Sequence, residues 1–203
     1  MKKYAVLHEP GDIVTLAGTR FVVLDVERRG SLPDSLFLLA LESVGASEFG
    51  SSNNYAESDL KKAVDKWLED MGKRGLDNAK LIPREIDLTT LDGSGCYGKL
   101  SVKAAPLTLD EAREYADIIP NAERWCWLAT GWSGPSKSDG DLALYVYSNG
   151  GWNYNSCSFS YGIRPALKAP SVLFEDSEAG LDLSKIPTDD LLQEIHRRLA
   201  EKA

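Results

Sequence analysis

The feature that most constrains the fold is a β-hairpin pattern in the last third of the chain. From 142 to 148, aliphatic side chains alternate with an alanine and two tyrosines. A strand there would carry its aliphatic residues on one face and Tyr145 and Tyr147 on the other. Asn149-Gly150 is typical of a two-residue hairpin turn, and residues 151–158 would form the returning strand. The pattern therefore predicts an antiparallel sheet built around this hairpin.

The same region has the composition of a recognition surface. Residues 125–161 hold four of the five tryptophans, four tyrosines and a phenylalanine, but only three charged residues. Rigid aromatic side chains supply contact area at low entropic cost, and serine, glycine and asparagine supply adaptable hydrogen bonds. Catalytic sites usually need titratable groups, which are scarce in this region. The composition therefore favours binding over catalysis.

Short apolar runs predict the remaining strands. Runs at 13–16, 21–26 and 36–41 are rich in aliphatic and β-branched residues and are separated by glycine-containing turns, which indicates a three-stranded meander. Residues 99–102 are a candidate short strand, and residues 161–168 would form a final strand.

Two helices are predicted between these strands. An apolar stripe at helical spacing runs over residues 58–72, and Trp67 lies on it. We interpret Trp67 as a core anchor; the alternative is a ring that faces a ligand. Thr108 and Glu111 form a capping box for a second helix, which would end near Ala116.

Charge and hydropathy exclude several classes of protein. The chain has 203 residues and a net charge of −8, without the basic face that a duplex nucleic-acid binder needs. It lacks an apolar run of about 18 residues, so we expect no membrane span. The N-terminal segment has two lysines but no apolar core of a signal peptide, so we expect a cytoplasmic or phage-encoded protein.

The C-terminal region has a different character from the rest. We expect one domain over residues 1–169, a linker over 170–187 rich in Ser, Asp, Glu, Gly and Pro, and an amphipathic helix over 188–203. A short amphipathic helix must dock somewhere to be stable. Two interpretations stay open: the helix packs on its own domain, or it docks a partner or a second copy and makes a homo-oligomer.

The cysteine count argues against a disulfide framework. The chain has three cysteines, Cys96, Cys126 and Cys157, without regular spacing. We expect buried free thiols, with pairing of Cys126 and Cys157 as the alternative.

Metal ligands and catalytic histidines are equally sparse. The two histidines, His8 and His196, lie at opposite ends of the chain and belong to no local motif. Asp139-Gly140-Asp141 lacks the further oxygen ligands of a calcium loop. The sequence therefore predicts neither a metal nor another cofactor.

Arg164 is an unusual residue for a core strand. It lies between Ile163 and Pro165 in the predicted final strand, where a buried arginine needs a partner. We expect an ion pair or carbonyl-binding role that locks the aromatic region in place; the alternative is direct contact with a ligand.

Several motifs together resemble one domain family. They are Asn53-Asn54-Tyr55, Trp125-x-Trp127-Leu128, Val146-Tyr147-Ser148-Asn149-Gly150 and Tyr161-Gly162-Ile163-Arg164-Pro165-Ala166-Leu167. The family occurs in bacteria and phages, and its members commonly end in Tyr-Gly-Val-Arg-Pro-Ala-Leu. The resemblance implies an α+β, C-type-lectin-like fold with antiparallel β-sheets and two main helices. The family includes variable proteins of diversity-generating retroelements and is distantly similar to formylglycine-generating, sulfatase-modifying domains.

The resemblance also implies a site. In such variable proteins, the segment before the last arginine-containing strand displays ligand-binding, hypervariable side chains on a rigid scaffold. By this analogy Trp152 and Cys157 take scaffold positions, alongside the structural roles expected for Arg164 and Trp67. The candidate ligand-binding residues are Trp132, Ser133, Ser136, Ser138, Tyr145, Tyr147, Asn153, Tyr154, Asn155, Ser156, Ser158 and Phe159.

Three hypotheses follow. The first is a non-enzymatic protein that binds a protein or other macromolecular ligand through these residues. The second is a phage or bacterial assembly protein that oligomerises through residues 188–203. The third, an enzyme with copper at Cys126 and Cys157, is weakened because these cysteines match no known motif of the sulfatase-modifying group. Calcium-dependent lectins carry a Trp-Asn-Asp motif, where this chain has Trp152-Asn153-Tyr154. The sequence therefore does not support carbohydrate binding through calcium.

Overall fold

The computed structural model describes residues 8–30, 32–135 and 137–174, with Thr188 and Leu192 beyond them. The described part is a mixed α+β fold. Its helices are α1 (Asp59–Lys73) and α2 (Leu109–Glu114), with short 3-10 helices at Tyr55–Glu57, Asn78–Lys80 and Ser171–Phe174. In chain order its strands are β1 (Ile13–Leu16), β2 (Thr19–Arg29), β3 (Leu32–Ala40), β4 (Ala46–Glu48), β5 (Arg84–Asp87), β6 (Lys99–Val102), β7 (Ala104–Ala105), β8 (Cys126–Gly131), β9 (Leu142–Val146), β10 (Trp152–Ser156), β11 (Ser160–Gly162) and β12 (Ala166–Pro170).

The first sheet joins the two ends of the described domain. Its order is β1-β2-β3-β12-β7, and every neighbouring pair in it is antiparallel. The predicted meander is confirmed as β1, β2 and β3, with β2 longer than its apolar run. Because β12 pairs with β3, Ala166 lies opposite Leu39, and the C-terminal motif closes the sheet that the N-terminal strands begin.

The second sheet contains the predicted hairpin. Its order is β10-β9-β8-β11-β4, so β10 is an edge strand and β9 is paired with a strand on each side. Tyr154 lies opposite Leu144 and Trp152 opposite Val146, and the Tyr147 backbone N–H donates to the Gly151 carbonyl at 2.6 Å. The hairpin therefore closes through the three-residue loop 148–150, which contains Asn149-Gly150 but is one residue longer than the expected two-residue turn. A separate pair, β5 and β6, lies outside both sheets and includes the predicted strand at 99–102.

The predicted final strand is wrong in one respect. Residues 161–168 form two strands in different sheets, β11 and β12, separated by Ile163, Arg164 and Pro165. Pro165 has no N–H to continue the β11 ladder, and its carbonyl instead accepts from the Ala40 backbone N–H at 2.8 Å. Arg164 therefore lies at the crossing between the sheets and not within a strand.

Both predicted helices form. The Ser58 hydroxyl caps α1 by accepting from the Lys61 backbone N–H at 2.9 Å, and the apolar stripe of α1 faces the core. Trp67 is only partly buried, but it packs on that core with its ring 6.3 Å from Phe21. The capping box of α2 is present, and α2 ends at Glu114, slightly before the predicted Ala116.

The hydrophobic core has two clusters on opposite faces of the sheets. The larger cluster lies under α1 and includes Trp127 and Tyr145 of the second sheet. The smaller cluster lies under α2, where Leu109 packs with Leu128 and Leu144. Each fully buried aliphatic or aromatic side chain stabilises the fold by about 1.5–3 kcal/mol.

The C-terminal predictions fall mostly outside the described residues. The start of the expected linker is packed, because Ser171–Phe174 is helical and Phe174 is buried against His8. Residues 175–187 lie outside the described chain. So does the helix expected at 188–203, except for Thr188 and Leu192, which are helical. No helix in the described part has the length and apolar character to cross a membrane.

Candidate functional site

The exposed aromatic side chains of the described residues are concentrated on the second sheet and in the segments that lead into its strands. We call Trp125, Trp152, Tyr154 and Phe159 the aromatic rim; their side chains are 43%, 41%, 42% and 51% exposed. Trp152 and Tyr154 lie on the edge strand β10, Trp125 directly precedes β8, and Phe159 directly precedes β11. The other large exposed hydrophobic residues of the described chain are aliphatic: Ile13, Val172 and Leu192.

Strand alternation divides the predicted binding residues between two faces of this sheet. Asn153 is paired with Tyr145 and Asn155 with Ala143, so these side chains share one face. Trp152 and Tyr154 project from the opposite face, where the Tyr154 ring lies 3.9 Å from the Trp132 ring. Residues 153–159 therefore do not form one continuous outward surface, as the sequence analogy implied.

A cluster of tyrosines supports the rim on the first of these faces. We call Tyr145, Tyr147 and Tyr161 the tyrosine cluster. Trp125 stacks on Tyr145 at 5.4 Å between ring centroids and makes edge contacts with Tyr147 at 5.0 Å and Tyr161 at 5.7 Å. Such offset and edge-to-face aromatic pairs are each worth about 0.5–1.5 kcal/mol beyond area burial. The exposed indole of Trp125 is thus held by rings beneath it.

Two asparagines connect the edge strand to the tyrosine cluster. Asn153 donates its amide N–H to the Tyr147 hydroxyl at 2.6 Å, while its carbonyl oxygen accepts from the Tyr154 backbone N–H at 2.9 Å. Asn155 repeats the arrangement with the Tyr161 hydroxyl at 2.6 Å and the Ser156 backbone N–H at 2.8 Å. Each amide group therefore both donates and accepts, and its oxygen occupies a backbone donor of an edge strand that would otherwise be open to pairing with other chains.

The electrostatics of the cluster are those of a neutral polar surface. Burial raises the pKa of Tyr145 well above its usual value, with hydrogen bonding to Tyr147 as a further cause. The hydrogen bond from Asn153 lowers the pKa of Tyr147, with a contribution from Tyr145. The pKa values of Tyr145 and Tyr147 thus shift in opposite directions within one hydrogen-bonded group. The arrangement is suited to recognising a ligand by its shape and its hydrogen bonds.

Two predicted ligand contacts are wrong because their side chains are buried. Tyr145 is 4% exposed because Trp125 stacks on it and the Trp127 ring packs beside it. Ser133 is 2% exposed beside Asn53, whose amide donates to the Ser133 carbonyl at 2.9 Å. Cys157 is buried, as expected of a scaffold position. Trp152 is not at a buried scaffold position: it is exposed, with the Arg113 guanidinium 5.2 Å over its ring.

The remaining predicted residues lie in exposed turns or are already partnered. Ser138 is exposed in the loop before β9, and Ser136 lies outside the described residues. The Ser156 and Ser158 hydroxyls are 3.0 Å apart in the turn that leads to Phe159. Sequence reasoning missed Trp125 and Tyr161, because nothing in their own segments indicates that these two rings lie against Tyr145 of another strand.

Arg164 binds carbonyl groups, one of the two roles expected for it. It is 5% exposed; its Nε donates to the Ala40 carbonyl at 2.7 Å and its Nη1 to the Pro120 carbonyl at 3.0 Å. Burial lowers the pKa of the guanidinium, and the neighbouring Cys126 opposes that effect. Arg164 therefore links β3, the segment before β8 and the crossing between the two sheets.

The cysteines are free thiols. Cys126 and Cys157 are buried and Cys96 is exposed, so the prediction of buried free thiols is confirmed for the first two. Burial raises the pKa of Cys126 to about 11 and that of Cys157 to about 12, which keeps both protonated near neutral pH. A protonated thiol is a poor nucleophile and a poor metal ligand. Within the described ranges, no group of three or more His, Cys, Asp or Glu residues is placed to hold a metal ion.

No protein-family model, curated protein or solved structure matches this chain.

Proposed function

We propose that the chain is a non-enzymatic binding protein that presents the aromatic rim to a protein or other macromolecular ligand. The observation that carries the proposal is the position of the exposed aromatic rings. Trp152 and Tyr154 lie on β10, Phe159 lies in the turn that follows β10, and Trp125 directly precedes β8 of the same sheet; aromatic rings elsewhere in the described chain are more buried. Packing of the hydrophobic core does not require exposed aromatic rings to be grouped on one sheet.

The physical character of the rim supports this role. Tryptophan and tyrosine are enriched among residues that dominate binding energy, and they lose little conformational entropy on binding. The tyrosine cluster and its asparagine bridges hold Trp125 and β10 in place before any ligand arrives. A surface that is already rigid loses less entropy on association, so more of its contact energy appears as affinity.

We further propose that the scaffold is C-type-lectin-like and that the chain is a variable protein of a diversity-generating retroelement. Mostly antiparallel sheets, with one parallel pair between β8 and β11, two main helices and a first sheet that joins both ends of the domain support the first part. The exposed side chains of Tyr154, Ser158 and Phe159 support the second, since substitutions there would change the surface while leaving the core intact.

Sequencing tests the diversification. Reading this gene in many cells of one population should show substitutions concentrated in codons 153–156, 158 and 159, with a reverse-transcriptase gene and an imperfect repeat of this DNA nearby. Codons 142–146 serve as the control, because β9 is a buried central strand. Equal variation in both sets, or an invariant gene without the repeat, would refute the retroelement assignment while leaving the binding proposal in place.

Selection from a random peptide library tests binding itself. Peptides enriched on the wild-type protein should lose roughly 30-fold or more in affinity for the variants Tyr154→Ala or Phe159→Ala, as expected for residues at the centre of an interface. Val172→Ala is the matched control, because Val172 is a comparably exposed apolar residue at 54% and lies outside the rim. Selected peptides that bind all three variants equally well would contradict the proposal.

A second candidate function rests on Leu192. This apolar side chain is 48% exposed on a helical residue, as it would be on an oligomerising helix. If residues 188–203 assemble copies of the chain, Leu192→Asp should reduce the mass measured by light scattering to that of a monomer. An oligomer that persists in this variant would rule out that helix as the cause of assembly.

A further inference from the structure

A cavity lies mainly on the face of the second sheet opposite the tyrosine cluster, with Tyr147 and Trp152 also among its lining residues. It has a volume of about 300 Å³ and is enclosed by α2, the segment that follows α2, and strands β8 and β9. Its walls are mainly apolar, with Leu109 from α2, Ile119 from the following segment, and Leu128 and Val146 from the sheet. This volume is at the lower end of the range for small-molecule sites.

Arg164 is the buried charge in the wall of this cavity. Two of its three side-chain nitrogens donate to backbone carbonyls, but Nη2 is buried without a hydrogen-bond partner among the described residues. Glu42, the carboxylate that interacts with Arg164 electrostatically, is exposed and pairs with Arg20 at 3.3 Å. The guanidinium therefore has no direct carboxylate partner in the described chain.

A buried guanidinium with an unused donor is unfavourable unless an anion neutralises it. The surrounding protein does not supply that anion, although the whole chain has a net charge of −8. Arginine is well suited to bind a carboxylate, because its planar nitrogens match the two carboxylate oxygens. A ligand for this cavity would thus combine one negative group with an apolar body.

We propose that the cavity binds a small free monocarboxylic acid with an apolar tail. The carboxylate lies at Arg164, and the tail lies between α2 and the sheet against Leu109, Leu128 and Val146. At about 30 Å³ for each non-hydrogen atom, the cavity holds roughly ten such atoms, the size of octanoate. Trp152 and Arg113 line the open side, where the exposed indole covers the end of the tail.

Calorimetric titration of the wild-type protein with three probes tests the proposal. Octanoate should bind with a stoichiometry of one, octanol should bind at least about tenfold more weakly because it lacks the charge, and acetate should not bind because it lacks the tail. Equal affinities for octanoate and octanol would overturn the role of Arg164. The absence of saturable octanoate binding would overturn the site itself.

Two variants locate the site. Ala112 lines the cavity from α2, so Ala112→Phe should fill it and reduce octanoate affinity at least about tenfold. Ala79→Phe makes the same change at an exposed residue outside the cavity and should leave the affinity unchanged. Arg164→Gln should remove the preference for octanoate over octanol; if this variant does not fold, the three-probe titration of the wild-type protein still decides the question. Octanoate binding that is unaffected by Ala112→Phe would place the ligand elsewhere and refute the assignment.

Discussion

At the residue scale, Asn153 and Asn155 are the side chains that tie the aromatic rim to the rings beneath it. Each bridges a backbone N–H of the edge strand and a tyrosine hydroxyl, with both hydrogen bonds between 2.6 and 2.9 Å. Tyr147 contacts Trp125, and Tyr161 lies 6.3 Å from Phe159, so the bridges reach two of the four rim residues. Removing the partner of a half-buried hydrogen-bond donor lowers the free energy of unfolding, so the contribution of each bridge can be measured.

We expect Asn155→Ala and Tyr161→Phe each to lower the free energy of unfolding by about 1 kcal/mol. Because both changes remove the same hydrogen bond, the double variant should lose about 1 kcal/mol less than the sum of the two. Urea denaturation measures these values, and Asn121→Ala, at an exposed asparagine, is the control that should change stability by less than about 0.5 kcal/mol. Strict additivity would show that the two side chains do not interact.

The buried thiol of Cys126 makes the free energy of unfolding decrease at alkaline pH. Its pKa in the folded protein is about 11, whereas an unfolded thiol ionises near 8.5. Ionisation therefore favours the unfolded chain as pH rises above about 8.5, and roughly 2 kcal/mol of stability is lost by pH 10 from this group. Comparing urea denaturation at pH 7 and pH 10, we expect Cys126→Ala to lose less stability than the wild-type protein. Identical losses would mean that the thiol is ionised in the folded state.

At the element scale, local patterns were predictable and distant contacts were not. The hairpin loop that contains Asn149-Gly150 and the capping box of Thr108 and Glu111 each depend on residues within a few positions, and both are present, although the loop is one residue longer than predicted. The break before β12 depends on Arg164 and Pro165 meeting Ala40, more than 120 positions earlier. Periodicity in one segment contains no information about such a partner.

In the candidate site, too, the local pattern was predictable and the contacts with distant segments were not. Alternation correctly placed Tyr145 and Tyr147 on one face, but it could not tell that β9 would be covered on that face at Tyr145 and open at Tyr147. The resemblance gave the positions of Tyr154 and Phe159 but did not indicate that Asn153 and Asn155 would be engaged internally. Whether a strand lies at the edge or the centre of a sheet is decided by the whole topology.

The ion pair of Arg84 and Glu111 fastens α2 to β5. The two side chains are 8% and 23% exposed, Arg84 also donates to the Ala105 and Pro106 carbonyls, and Glu111 closes the capping box. Glu111→Ala leaves a buried guanidinium unpaired, so we expect it to cost about 3–5 kcal/mol of unfolding free energy. Glu114→Ala, at an exposed position in the same helix, should cost much less. Chemical denaturation distinguishes the two, and similar costs would mean that the pair contributes little.

At the scale of the whole molecule, the second sheet carries both the buried aromatic residues Trp127 and Tyr145 and the exposed ones Trp152 and Tyr154. The first sheet and α1 enclose the larger core cluster, which reaches Trp127 and Tyr145. The rim lies on β10 and directly before β8 and β11, and the cavity beside Arg164 lies mainly on the face opposite the tyrosine cluster, with Tyr147 also in its lining. We propose that the rim stands in solvent on a rigid support and is covered when a ligand binds.

Photochemically induced nuclear polarisation tests that claim most directly, because a dissolved flavin polarises only tryptophan and tyrosine rings that it can touch. In the free protein we predict signals from Trp125, Trp152 and Tyr154, and silence from Trp127 and Tyr145, which are 1% and 4% exposed. Saturation with a library-selected peptide should suppress the rim signals. Rim rings that are silent in the free protein, or that stay fully polarised in the complex, would contradict the account.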